Sequence, residues 1–306
     1  MNIVFMGTPQ FAVPCLGKIL EAGYPVSGVF TQPDKPKGRG YKMVPPPVKE
    51  LALEKGIPVF QPASLKPDES FETLRSLNPD LIIVVAYGKI LPKRVLDLPK
   101  YGCINVHASL LPKYRGAGPI QWAVLNGETE TGVTTMMMAE GVDTGDMLEQ
   151  TRTPIGENET ADELYTRLSQ IGADTLLTTL RKLEGGSLLR TPQDDSLSSH
   201  APMLDKTLSP IDFTKDARTI HNQIRGLSSW PAASTTYKGK RLKVYESRLV
   251  SMDGEPGTVL DPKKFIVACG KGAVQLVSVQ YEGGKRMPAD AFLRGKPAEK
   301  GEKLGE

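Results

Sequence analysis

The chain has 306 residues, more than one compact domain usually holds, and its 39% hydrophobic and 24% charged residues suit a protein with an apolar core. The net charge of +3 is unevenly spread: residues 201–306 carry 18 basic and 12 acidic side chains, whereas residues 1–200 carry 20 and 23. No apolar run reaches the roughly 18 residues of a membrane span, the N-terminus lacks a basic lead and a cleavage site, and Cys15, Cys103 and Cys269 lie too far apart for ligand-like spacing. A membrane anchor, a secretory leader and a metal centre are therefore not expected, and a cytoplasmic location is.

In chain order, Asn2–Met6 reads as a strand and Pro9–Glu21 as a helix, with Thr8 as N-cap and Pro9 in the first helical position. Val26–Phe30 is a second strand. The unbroken apolar run Leu81–Ala86 predicts a strand buried on both faces, and Gly102–Val106 and Gly132–Met138 predict two more. Helical patterns fall near 47–55, 68–77, 117–125 and 160–182. The alternation implies an α/β fold, a Rossmann-like, mostly parallel sheet with helices on both faces. The pattern changes after Gly185-Gly186. Residues 189–206 are polar and read as a linker, and a short helix is expected at 214–226. Five short strands follow: Ser234–Tyr237, Arg241–Val250, Gly257–Leu260, Phe265–Ala268 and Ala273–Gln280. Their spacing fits a small OB-like β-barrel. The last turn, rich in Lys, Glu and Gly, is expected to fray. The expected division is a catalytic domain at 1–188, a linker at 189–206 and a barrel at 207–306.

The segment from Cys103 to Pro112 carries the most chemistry. Asn105 and His107 are two apart on a strand, so they leave the same face, where an apolar strand gives way to a Pro/Gly-rich loop. The ends of parallel strands are where open α/β sheets place ligands. An amide donor beside an imidazole can stabilise an oxyanion while the ring moves a proton. For Asn-x-His alone, a histidine satisfied by a backbone carbonyl is the simpler reading. The stretch Glu140–Asp146 changes the balance, because its glycines permit close backbone approach and its aspartates can orient a histidine. Gly7-Thr8-Pro9 lacks the glycine spacing of a dinucleotide-binding turn, so nicotinamide binding is not expected.

Taken together, Met6–Pro9, Thr31–Asp34, Val84–Gly88, Ile104–His107, Ser109–Pro112 and Asp143–Asp146, in this order, resemble the folate-dependent formyltransferases, and within them the members that act on initiator methionyl-tRNA. The resemblance is strong from residue 1 to about 185 and weaker through the barrel; Ala108 stands where relatives often have glycine. It implies 10-formyltetrahydrofolate as donor, the α-amino group of tRNA-bound methionine as acceptor, no metal, and catalytic roles for Asn105, His107 and Asp143. An amine attacking a formamide-like carbonyl passes through a tetrahedral oxyanion, to which Asn105 and a protonated His107 could donate, with Asp143 holding the ring. The donor's pterin is expected against Leu81–Tyr87, including Val85 and Tyr87, and against Gly141–Thr144, with Gly141 and Thr144 in contact. Its linker is expected along Ser109, Leu110, Leu111 and Pro112.

The connection from Gln32 to Lys49 is long and basic, with Lys35, Lys37, Arg39, Lys42 and Lys49. On its own it reads equally as a solvated loop or a functional one. The resemblance implies a loop that enters the tRNA acceptor stem, with Arg39 reading the weak first base pair and Lys37 and Lys42 beside it. Lys238, Lys240, Arg241 and Lys243 are expected to contact phosphates from the barrel, while Tyr237 and Tyr245 read equally as core or stacking residues. A monomer is expected. Among relatives, glycinamide ribonucleotide formyltransferase resembles only the first domain, and an amino-sugar formyltransferase gives the basic loop and barrel no purpose. A non-enzymatic RNA-binding module would leave Asn105, His107 and Asp143 unexplained.

Overall fold

The computed structural model describes residues 1–37 and 42–305. Packing divides the chain into one unit of Met1–Gly116, Thr131–Thr153 and Tyr165–His200 and another of Ala117–Glu130, Pro154–Leu164 and Ala201–Glu306. The division is therefore discontinuous in sequence, with two short stretches before residue 165 packed with the C-terminal part.

Seven strands form the first sheet: β1 (Ile3–Gly7), β2 (Val26–Phe30), β3 (Val59–Phe60), β4 (Leu81–Val85), β5 (Cys103–His107), β6 (Glu130–Met137) and β7 (Met147–Pro154), in the order β7-β6-β5-β4-β1-β2-β3. β1 pairs in parallel with β2 and β4, and the parallel ladder continues to β3 on one side and β5 on the other. All residues of β1 and β4 are buried, as unbroken apolar strands covered on both faces should be. β6 runs antiparallel to β5, so the sheet is mixed at this end. The chain leaves β1 first toward β2 and β3, then returns to β4 and β5. That reversal beside β1 is where open α/β sheets leave a crevice at the carboxyl ends of their strands.

The helices in chain order are α1 (Val13–Glu21), α2 (Pro47–Glu54), α3 (Asp68–Ser76), α4 (Lys93–Leu96), α5 (Pro119–Leu125) and α6 (Ala161–Glu184). The first departs from the sequence expectation. Gln10–Ala12 forms a 3-10 turn ahead of α1, and Thr8 caps nothing. Its hydroxyl instead donates to the Tyr87 carbonyl at 3.1 Å and accepts from the Gln32 amide at 3.2 Å, joining the ends of β1, β2 and β4. The connection expected as a long loop contains an antiparallel ribbon, Lys35–Lys37 against Lys42–Val44. Arg39 lies outside the described residues, as do the side chains of Lys37 and Lys42.

In the second unit, α5 packs against α7 (Ala217–Gly226), so a chain cut near residue 188 would strip α5 of its partner. Strands β8 (Ala233–Tyr237), β9 (Lys240–Val250), β10 (Val259–Asp261), β11 (Ile266–Ala268) and β12 (Ala273–Tyr281) form the small barrel in the order β8-β9-β12-β11-β10, with β13 (Met287–Pro288) and helix α8 (Ala289–Gly295) following. Every pairing in this sheet is antiparallel. Lys238 and Gly239 both have positive φ, 49° and 71°, which is the two-residue turn that matches strand twist and favours glycine. Tyr237 is fully buried, its ring 5.6 Å from Phe265 and 5.7 Å from Phe292, and so belongs to the core.

The C-terminal stretch does not fray. Gly301 N–H donates to the Val259 carbonyl, Val259 N–H to Glu302, Leu304 N–H to Gly257 and Gly305 N–H to Thr236, while Leu304 is buried. The tail thus bridges β10 and β8, the two outer strands of the sheet, and satisfies edge groups that would otherwise face water.

Candidate active site

Strand β5 carries Asn105 and His107 to its carboxyl end, and the loop after β6 brings Asp143 to them. Asp143 Oδ2 lies 3.5 Å from His107 Nδ1, and the Asn105 amide donates to Asp143 Oδ1 at 3.4 Å. Both separations are long for hydrogen bonds. The other ring nitrogen is held firmly: Nε2 lies 2.9 Å from the Tyr114 carbonyl oxygen, which can only accept, so Nε2 carries a proton. Gly116 N–H donates to Asp143 Oδ2 at 2.8 Å. Segment 114–116 therefore grips the histidine and the aspartate together.

Two of the residues involved are strained. Tyr114 and Asp143 have φ of 60° and 53°, in the left-handed region that side chains disfavour. Such conformations cost on the order of 1–3 kcal/mol and persist only where surrounding contacts impose them. Gly145 has a packing reason for being glycine, since a Cβ there would run into the Met137 carbonyl oxygen.

The expected donor contacts divide by burial. Val85, Tyr87, Ser109 and Leu111 are all buried, so their side chains belong chiefly to the protein's own packing. Ser109 Oγ donates to the Lys113 carbonyl at 2.6 Å, and the Leu111 N–H donates to Thr134 Oγ1 at 3.1 Å. The Tyr87 hydroxyl has no hydrogen-bond partner among the described residues, and burial pushes it up to about 12. Leu110 and Pro112 are half-buried, whereas Gly141 and Thr144 are exposed. The surface at this end of the sheet also includes Ala86, Gly88, Ile90 and Val142, with Ile90 81% and Val142 66% exposed. Exposed apolar side chains beside a polar cluster suit a flat, partly apolar ligand.

Residues 1–180 match the family model "Formyl transferase", and residues 203–297 match "Formyl transferase, C-terminal domain". The chain belongs to the formyl transferase family. A methionyl-tRNA formyltransferase of Geobacter sulfurreducens is 52% identical over 308 residues, covering 100% of this chain and 97% of that protein. One of Acetivibrio thermocellus is 48% identical, with 100% of each chain covered. Among solved structures, a sugar 3N-formyl transferase crystallised with dTDP and 5-N-formyl-THF superposes with a TM-score of 0.70 at 22% identity, over 93% of this chain and 99% of that one. HypX of Aquifex aeolicus in complex with tetrahydrofolic acid gives 0.68 at 21%, over 100% of this chain and 51% of that one. At these identities the two structures speak for the fold.

In this formyl transferase the root of the basic connection is tied down. Lys49 donates to Asp34 at 2.8 and 2.9 Å and to Gln61 at 2.8 Å, so it is occupied within the fold. The Lys49 ammonium and the Gln61 amide hold the Asp34 carboxyl below its usual range. Gln32 Nε2 donates to the Tyr87 and Gly88 carbonyls at 3.1 and 3.3 Å. Lys238 is likewise engaged, with the Pro297 carbonyl at 2.8 Å. Lys240 and Arg241 are exposed and Lys243 is half-buried. Arg241 and Lys243 stand opposite Thr236 and Ser234, on the face away from the buried Leu242 and Val244. Tyr245 is buried, with its hydroxyl on Gln280 at 2.7 Å and the Arg286 guanidinium 4.5 Å from its ring.

A cavity of about 250 Å³ is lined entirely by second-unit residues, among them Gln121, Asp162 and Trp230, and by none of Asn105, His107 or Asp143. Among the described residues no group of three or more His, Cys, Asp or Glu could hold a metal ion, and no helix is long and apolar enough to cross a membrane.

Proposed function

We propose that this formyl transferase moves the formyl group of 10-formyltetrahydrofolate onto the α-amino group of the methionine carried by initiator tRNA. The observation that carries the acceptor is the correspondence with methionyl-tRNA formyltransferases along the whole chain, second domain included. The chemistry is supported by the convergence of Asn105, His107 and Asp143.

Attack of the amine turns the formyl oxygen into an oxyanion, and an amide N–H aimed at it is worth most away from bulk water. Asn105 Nδ2 is the available donor, because its bond to Asp143 at 3.4 Å is weak enough to exchange for a substrate oxygen. His107 is committed through Nε2 to Tyr114, so its Nδ1 edge, which faces Asp143, is the one that can pass the proton lost by the attacking amine to the folate nitrogen, which leaves as its bond to the formyl carbon breaks. Asp143 orients that edge. The apolar rim at Ile90 and Val142 and the backbone of 86–88 and 141–144 provide a surface for the pterin. The Ser109–Pro112 turn borders it.

In this reading the basic connection around Arg39, with Lys37 and Lys42, meets the acceptor stem, and the barrel contributes phosphate contacts through Lys240, Arg241 and Lys243, while Lys238 stays on the Pro297 carbonyl. The barrel at 207–306 is the tRNA-binding domain and 189–206 joins it to the catalytic domain at 1–188. The protein acts as a monomer in the cytoplasm, without a metal. The test is formylation of charged initiator tRNA against elongator methionyl-tRNA by purified protein supplied with 10-formyltetrahydrofolate. Transfer to the initiator alone is expected; transfer to neither, or to both equally, would overturn the acceptor assignment. Alanine at Arg241 and Lys243 should lower the salt dependence of tRNA affinity by about one unit of slope per lost phosphate contact.

A further inference from the structure

We infer that Gln193, a residue of the polar stretch between the two family domains, is a positioning residue for catalysis: its side-chain amide holds the Asp143 loop against His107 and Asn105. This rests on the reading of Asp143 given above. Residues 191–200 are all exposed apart from Gln193, which is half-buried. Its Nε2 donates to the Asp143 carbonyl at 2.8 Å and to the Gly145 carbonyl at 2.7 Å, so both amide protons are used on the loop. Its Oε1 accepts from Arg115 Nε at 3.0 Å and from a terminal nitrogen of Arg115 at 2.9 Å, and the same guanidinium pairs with Asp195 at 2.7 Å. A two-pronged guanidinium fixes the amide's orientation, leaving its NH₂ nowhere to point but at the loop.

The bracing is continuous with the site. Arg115 lies between Tyr114, which holds His107, and Gly116, which holds Asp143. Ser199 Oγ accepts from Tyr114 N–H at 2.9 Å and the Ser199 carbonyl accepts from Arg115 N–H at 2.9 Å. Residues 193–199 therefore lie along the segment that grips both side chains, and Gln193 reaches across to the loop that supplies the carboxylate. Asp143 sits at a φ that its backbone disfavours, so something must impose it. The bond from Gln193 to the Asp143 carbonyl is a specific contact on that strained residue. With the carboxylate already 3.4 Å from the Asn105 amide and 3.5 Å from His107 Nδ1, a small drift of the loop would take it out of their reach.

The test compares Gln193→Ala and the near-isosteric Gln193→Met, which keeps bulk but loses the amide, with Asp143→Asn and the double variant Gln193→Ala/Asp143→Asn. Turnover at saturating substrates, KM for the donor and thermal unfolding are measured for each. Both single Gln193 variants should lose about 10- to 100-fold in kcat, with donor KM within about twofold of wild type and unfolding little changed. The double variant should be no slower than Asp143→Asn alone, because Gln193 acts only through Asp143. Unchanged turnover in both Gln193 variants would overturn the inference. So would losses that multiply in the double variant, or a loss that merely tracks the fraction unfolded. Full turnover in Asp143→Asn would sink the reading of the site itself, and this inference with it.

Discussion

His107 and His221 are both buried, and each has a polar partner at both ring nitrogens, yet the partners differ in kind. His107 has the Tyr114 carbonyl on one side and the Asp143 carboxylate, borne on a strained glycine-flanked loop, on the other. His221, on α7 of the second unit, has Ser247 Oγ at 2.8 Å and the Glu157 carbonyl at 3.0 Å. The carbonyl can only accept, so Nε2 of His221 donates to it and Nδ1 accepts from the serine. Burial holds His221 below its usual 6.5, with Arg225, Arg218 and Arg248 pushing the same way and the Glu157 bond pulling against them. A buried, doubly bonded histidine is thus no sign of catalysis by itself. What separates the two is the company: a carboxylate and an amide on loosely closed bonds at strand ends, against a saturated pair of neutral partners inside a core.

The largest effect that can break this contrast is on turnover. His107→Ala and Asn105→Ala should each cost about 10²–10³ in kcat, the usual loss of a transition-state donor, whereas His221→Ala should leave kcat of the folded protein near wild type. Equal losses in turnover at the two histidines, measured under saturating substrates at a temperature where both variants are folded, would erase the distinction.

Stability should divide in the opposite sense. His221→Ala leaves the Ser247 hydroxyl and the Glu157 carbonyl without their partner and should destabilise the second unit by about 1–3 kcal/mol. Removing residues 299–305 should have an effect of similar order by reopening the two outer strands, and hydrogen exchange should locate it at Val259 and Thr236. If Gly257 and Val259 amides stay protected without the tail, the tail does not close the barrel.

The smallest and sharpest effect is that of pH. Because His221 is held below 6.5 in the fold, the unfolded chain binds a proton that the folded chain refuses once pH falls through 6.5. The stability of the second unit should therefore decline from about pH 6.5 downward and level off only below the depressed folded value. His221→Gln should flatten that decline. An unaltered pH dependence of unfolding in this variant would mean another group dominates.

Much of this was legible in the residues because the signals were local and periodic. Leu81–Val85 is apolar without a break and so had to be covered on both faces; Lys238-Gly239 had to turn; Asn105 and His107 had to share a face of β5. Elements without an internal pattern escaped notice. β3 is two residues long, and half of β7 is exposed. The ribbon of Lys35–Lys37 and Lys42–Val44 carries no alternation to betray it.

By itself, the sequence determined the α/β class and the barrel strands and offered Asn105, His107 and Asp143 as candidates, since periodicity of two or 3.6 and the chemistry of a side chain are properties of neighbours along the chain. Only the tertiary structure decided what those residues touch. It sent Thr8 to the Tyr87 carbonyl instead of a helix N-terminus, put Tyr237 in the core, engaged Lys49 and Lys238 within the fold, and laid the tail across the barrel's open strands. It also turned a polar stretch that reads as a linker into the brace of the Asp143 loop. The physical reason is common to all of these: a polar side chain or a bare backbone amide takes whichever partner burial leaves within about 3 Å, and that partner is 50 or more residues away as readily as four.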